Sequence, residues 1–271
     1  MRSWWIGAAL LGGSALAHSQ EYLTPPPVAS PITDHFALRG EFFFGHVDTL
    51  GRIDSSTGVP GTPFSAERDL GLTDQAKQLR VEIIFRMVER SRLRVNFLDL
   101  RRQAQASIDR PIQFGDQTFQ AKSIVQSEID WRQMDLTYTY SFLRSERYEL
   151  GAGVGIHLLE AEAIGQIPGT TQRGDFSGAE PFATLALDGT WLIAPRWALS
   201  ARAQYLRVTI DSVSGMLGDY HADVQYRWQR NVAFGVGYER EQVDIDARNV
   251  NPSGDVNMTI GGPELFVRVS F

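Results

Sequence analysis

From Phe36 to Phe271 apolar residues recur at every second position. The connections between these stretches alternate between short and long, and the chain ends on an aromatic residue. A period of two is that of a strand, whose side chains point to opposite faces in turn. Together the three observations predict an all-β fold, an antiparallel transmembrane β-barrel of about ten strands, with eight or twelve as alternatives.

Composition narrows the classes first. The chain has 271 residues, 26 Lys and Arg against 32 Asp and Glu, a formal net charge of −6 and no cysteine. Disulfides, thiolate metal sites and cysteine nucleophiles are therefore excluded. An acidic balance without a basic run argues against a nucleic-acid partner, whose phosphates need a positive footprint. A hydrophobic content of 43% excludes wholesale disorder. A mean hydropathy of −0.20 excludes a bundle of membrane helices.

At the N-terminus, Arg2 precedes an uncharged apolar run from Trp4 to Leu16, and Ala15-Leu16-Ala17 supplies a small-x-small pattern. This reads as a secretory signal peptide cleaved after Ala17, because so short a run cannot cross the roughly 30 Å of bilayer hydrocarbon. Residues 18–35 carry Pro25, Pro26, Pro27 and Pro31 and read as an extended, mobile leader. Residues 36–271 form the barrel.

Ten alternating segments follow, at about 36–50, 77–88, 91–105, 117–142, 147–161, 180–193, 196–209, 217–228, 231–243 and 257–271. In the second, Leu79, Val81, Ile83, Phe85 and Met87 share one parity and Gln78, Arg80, Glu82 and Arg86 the other. Short turns fall at Glu89-Arg90, Arg144-Ser145-Glu146, Ala194-Pro195 and Gln229-Arg230. Long connections fall at about 51–76, 106–116, 162–179, 210–216 and 244–256. With both chain ends on the side of the short turns, that side is periplasmic and the long loops are external. The apolar parity of 117–142 changes between Trp131 and Met134, which predicts a β-bulge there.

Aromatics mark two levels of the wall. Phe142, Tyr148, Trp191, Trp197 and Trp228 flank the short turns, and Tyr205, Tyr220 and Tyr238 lie about eight residues along. Eight steps of ~3.3 Å at a tilt near 40° rise about 20 Å, close to the roughly 25 Å between aromatic girdles. A soluble sandwich or lipocalin-like barrel also alternates, with its apolar face inward. The signal sequence, the girdles, the loop asymmetry and Phe271 favour apolar residues facing lipid.

That assignment sends Arg39, Arg80, Arg86, Arg94, Arg202, Arg227 and Arg268 into the lumen, with Glu41, Glu82, Asp135, Glu149, Asp188, Asp223, Glu239 and Glu264. Buried charges must pair, and the planar guanidinium fork suits carboxylates. The expectation is an Arg–carboxylate network bracing a narrow bore, with an ion path lined by the same charges as the alternative. Inward Gly151, Gly153, Gly155, Gly235 and Gly237 give large neighbours room to reach across.

The chain has no Gly-x-Ser-x-Gly elbow, His-Glu-x-x-His zinc motif or phosphate-cradling loop, so no catalytic, metal or cofactor-binding residue is assigned. His18 and His35 lie in the leader. His46, His157 and His221 are expected near the outer strand ends, where an external active site would sit, and Asp219 and Asp223 share a face with His221. Omptin outer-membrane proteases resemble the chain in architecture only. Their paired acidic and Asp-His motifs have no counterpart placed here, and neither does the His-Ser arrangement of lipid A deacylases.

Ile112-Gln113-Phe114-Gly115-Asp116, Leu136-Thr137-Tyr138-Thr139-Tyr140-Ser141-Phe142, Glu149-Leu150-Gly151-Ala152-Gly153-Val154-Gly155, Gly235-Val236-Gly237-Tyr238 and the ending from Gly262-Pro263 to Phe271 carry a further likeness. In these segments the chain resembles a family of uncharacterised outer-membrane β-barrel proteins of Gram-negative bacteria. The resemblance implies fold and location and supplies no catalytic residues.

The resulting expectation is a non-enzymatic, monomeric outer-membrane barrel with a braced lumen and exposed loops. Its partners would be outer-membrane lipid, lipopolysaccharide and, through Phe271, the barrel-assembly machinery. A narrow porin-like channel and a surface hydrolase are the alternatives.

Overall fold

The computed structural model describes residues 30–248 and 253–271. The signal sequence and most of the leader lie outside the described residues. The strands are β1 (Phe36–Ile53), β2 (Phe64–Ser65), β3 (Gln75–Val88), β4 (Ser91–Ser107), β5 (Ile112–Phe114), β6 (Gln117–Phe119) and β7 (Ile124–Arg144). They continue with β8 (Tyr148–Gln166), β9 (Arg173–Ala194), β10 (Trp197–Ile210), β11 (Val213–Arg227), β12 (Val232–Ala247) and β13 (Gly254–Ser270).

All but β2, β5 and β6 form the wall, a closed ten-strand antiparallel barrel in which each strand pairs with its sequence neighbour in the wall and β13 returns to β1. Ala37 pairs with Ser270 and Ile53 with Gly254 across this closing seam. Phe271 donates its N–H to Phe36 at 2.8 Å and accepts from His35 and Phe36, so the terminal residue continues the seam.

The short turns are where the sequence places them, whereas the strands run further on the long-loop side. The segment expected at 147–161 continues to Gln166, that at 180–193 starts at Arg173, and that at 217–228 starts at Val213. The connection expected at 210–216 shrinks to a tight turn at Asp211 and Ser212, with Asp211 at φ 50°, a backbone conformation Asp tolerates better than most residues. The segment expected at 117–142 is two elements: β6, which closes a hairpin with β5, and β7.

The bulge expected between Trp131 and Met134 is absent. Register between β4 and β7 is unbroken from Ser91↔Tyr140 to Ser107↔Ile124, and β7 shifts against β8 only between Ser141 and Leu143. The parity change has another cause. Met134 faces outward, 45% exposed, and Trp131 faces inward, 3% exposed. Below this level the outer face is apolar and the inner face polar; above it the two exchange.

On β8 the outward Val154, Ile156 and Leu158 give way to Glu160 and Glu162, while the inward side passes from His157 to Leu159 and Ala161. Outside, Arg101 pairs with Asp130 at 2.6 Å and Arg132 with Glu160 at 3.4 Å. Inside, Phe43, Val47, Leu98, Leu100, Trp131, Leu159, Phe182, Leu217, Val243, Met258 and Ile260 belong to one apolar core. A wall surrounded by lipid needs an apolar exterior, and a wall surrounded by water needs an apolar interior. Residues 99–107 of β4, at ~3.3 Å each and a tilt near 40°, carry the barrel about 20 Å past the switch.

Two of the long connections are folded. The 54–74 segment and the β5–β6 hairpin share a second apolar core that includes Ile53, Phe64, Ile108, Ile112, Phe114, Phe119 and Val125. Gly115 N–H donates to Ile53 O at 3.1 Å, and Thr62 N–H to Gln113 O at 2.9 Å, tying the loops to each other and to the end of β1.

Candidate functional site: a charge-braced lumen

Every charged residue assigned to the lumen from sequence does face it, and all but the half-buried Arg94 are buried. They assemble into two layers. In the layer by the short turns, Arg86 grips Glu149 with both terminal nitrogens, at 2.8 and 2.9 Å. Ser141 Oγ donates to the same carboxylate at 2.5 Å. Arg92 approaches Glu149 at 3.5 Å and pairs with Asp188.

This layer also holds the end of the leader stretch. Residues 30–33 form a turn, where an extended segment was expected, with Ser30, Pro31 and Ile32 buried. Arg227 donates to Asp34 Oδ2 at 2.6 Å and Arg268 at 3.3 Å. Arg86 reaches Pro31 O at 3.4 Å, and Arg144 reaches Ile32 O at 3.1 Å. Arginine donors thus hold the turn across the lower mouth.

In the layer above, Arg39 bridges Glu41 at 2.7 Å, Asp223 at 3.1 Å and Glu264. Arg202 bridges Glu82 at 2.5 Å and Glu239 at 3.2 Å, and Arg80 also pairs with Glu239. Arg94 adds to Glu82 at 3.3 Å. Many of these partners lie far apart in sequence and meet only because the sheet closes. Missing Cβ atoms make room: one on Gly155 would collide with Gln204 Oε1 and Thr184 Oγ1, and one on Gly151 with Asp188 Oδ1.

His157 and His221 lie in this buried middle layer, not at the outer ends as expected, because the strands continue beyond them. His157 lies between Gln133 and Gln204, at 3.2 Å from each. His221 Nε2 is 2.7 Å from Glu264 and 3.1 Å from Arg39. His46 faces outward, exposed, 3.3 Å from Asp74. The three are not brought together.

His221, Glu239 and Glu264 offer ligand atoms within 4.8 Å of one another, a spacing a metal ion could use. Arg39 already engages Glu264 and Asp223, while Arg80 and Arg202 engage Glu239. A divalent cation would have to displace three guanidinium groups, so the group serves as part of the ion-pair lattice.

Sequence reasoning missed Arg92, Asp34, Gln204 and Glu241 in this interior. Arg92 shares its parity with Arg94 and was legible by that rule, whereas Asp34 precedes the first strand and carries no periodic signal. Cavities of about 30 and 20 Å³ lie among these side chains, with room for one or two water molecules each. The apolar core then fills the bore above the charges.

An apolar exterior, a charged interior, closure by the last strand and short turns on one side define the architecture of bacterial outer-membrane β-barrels. No known family model matches the chain, and no curated protein matches it. Among solved structures, the outer membrane protease OmpT from Escherichia coli is similar at 9% identity and a TM-score of 0.53, over 87% of this chain and 96% of that one. Two others are Ail, the attachment invasion locus protein of Yersinia pestis (8% identity, TM-score 0.30, 86% and 99% covered), and the Ralstonia pickettii toluene transporter TbuX (7%, 0.37, 88% and 90%). The OmpT likeness bears on fold alone.

Proposed function

We propose that the chain is a non-enzymatic, non-conducting barrel of the bacterial outer membrane that presents a folded extracellular head. One observation carries this reading: the lumen is filled at three successive levels, by the 30–34 turn with its arginines, by the ion-pair lattice and by the apolar core. An ion crossing it would have to open all three. His157 and His221 are held inside the lattice, away from any peptide or lipid, and His46, exposed beside Asp74, stands apart from both. The loops and upper strands are left as the surface that meets other molecules, a structural or surface-interaction role. The signal peptide would be removed after Ala17, and Phe271 would engage the barrel-assembly machinery. The mature protein would sit as a monomer among lipid and lipopolysaccharide, without nucleic acid, cofactor or metal.

The test is ion conductance of the refolded protein in a planar bilayer, with a heat-dependent gel shift reporting folding. A folded barrel gives no discrete current steps under this reading. Reproducible steps, shifted in ion selectivity by Glu82→Gln, would replace it with the narrow channel.

A further inference from the structure

A cavity of about 290 Å³ lies inside the barrel on the long-loop side of the apolar core. Trp131, Leu159 and Ala161 line it from β7 and β8, Phe176 from β9, and Val213 and Ile245 from β11 and β12. Interiors rarely leave voids larger than one water molecule. A dry void of ~150 Å³ holds one benzene ring, and this one has about twice that volume. Its lining is mostly carbon. At its edge Arg52 pairs with Asp255 at 2.9 Å and Ser253 donates to Asp54 at 2.8 Å, while Glu180 adds a carboxylate that disfavours an anionic guest.

The wall beside the cavity is also parted. Among the described residues the β9–β10 ladder ends at Tyr205↔Leu185. Above it, β9 pairs only with β8, as far as Arg173↔Gln166, and β10 only with β11, as far as Ile210↔Val213. Pro181, in the unpaired stretch of β9, has no N–H to give a neighbouring strand. The cavity therefore adjoins a gap at the level of Tyr205, the upper aromatic girdle.

We propose that this cavity binds a small, uncharged, predominantly apolar molecule, about the size of a fused two-ring aromatic. The site is independent of whether the lumen conducts, since it lies above the ion-pair lattice.

The probe is 1-fluoronaphthalene, followed by ¹⁹F NMR with the refolded full barrel in detergent, against empty micelles, and competed with naphthalene. A saturable, protein-dependent shift or broadening that naphthalene reverses is expected. Ala161→Phe and Ile245→Phe each place a ring in the cavity and should weaken binding at least tenfold. Leu158→Ala, on the lipid-facing side of β8, should leave it unchanged. Folding of every variant is read from the gel shift, and the two filled variants guard against failure of either. Only the linear partitioning of empty micelles in the wild type, or wild-type binding by a folded filled variant, would overturn the proposal.

Discussion

Replacing Arg86 with alanine tests how far the lumen depends on its ion pairs. The guanidinium donates to both oxygens of Glu149, to Glu89 O at 2.6 Å and to Pro31 O at 3.4 Å, with both side chains essentially inaccessible to water. Removing one member of such a pair strands the other, at a cost of about 3–5 kcal/mol. Glu149 keeps the Ser141 hydroxyl, with Arg92 at 3.5 Å and Arg144 at 3.8 Å, so Arg86→Ala should fall at the lower end, about 3 kcal/mol. Glu149→Ala should cost about as much. Arg86→Met combined with Glu149→Met removes both charges at similar volume and should cost well under the sum of the two single losses. Equilibrium unfolding in guanidinium chloride, with the barrel in lipid vesicles, measures all three. A single-variant loss below about 1 kcal/mol, or strict additivity in the double variant, would refute the reasoning.

Two further outcomes follow from the same structure. Trp131→Ala removes a core side chain above the polarity switch and should cost about 3–5 kcal/mol, while Trp191→Ala, 55% exposed on the outer face, should cost less than half as much in the same unfolding assay. At the loop tips, the Ser56 N–H and hydroxyl hold the Asp116 carboxyl below the usual carboxylate range, at 2.8 and 2.9 Å. This loop contact is therefore complete above the ordinary Asp value of about 3.9 and lost as pH falls through the lowered folded value. An NMR titration of the Ser56 amide should show a midpoint below the ordinary Asp value, absent in Asp116→Asn; a midpoint at or above it contradicts the assignment.

Strand number, the lipid-facing parity and the charged lumen were legible because a period of two survives wherever one face meets lipid and the other a polar bore. Legibility failed where the surroundings change. Past Leu158 and Met134 the outer positions are Glu160, Glu162, Arg132 and Asp130, so the familiar outward apolar row vanishes and the strands read as loops. The reversed phase left one trace, the Trp131–Met134 change, and a bulge is the local explanation when the change of solvent is not in view. The same shortening of the strands put His157 and His221 too near the outer rim. Pairings such as Arg39 with Asp223 and Glu264 depend on barrel closure, which no local pattern encodes. The cavity is likewise invisible in sequence, since Trp131, Ala161, Phe176, Val213 and Ile245 come from different strands.

The polarity of the wall inverts on β8 between Leu158 and Glu160, and the absence of native cysteine makes that directly measurable. Single cysteines at Val154, Ile156, Leu158, Glu160 and Glu162 can be probed in lipid vesicles with a water-soluble maleimide supplied to both sides. The first three should be shielded by lipid and the last two labelled readily, with Leu159→Cys protected by the inner core. Equal labelling at Ile156→Cys and Glu162→Cys would contradict the inversion.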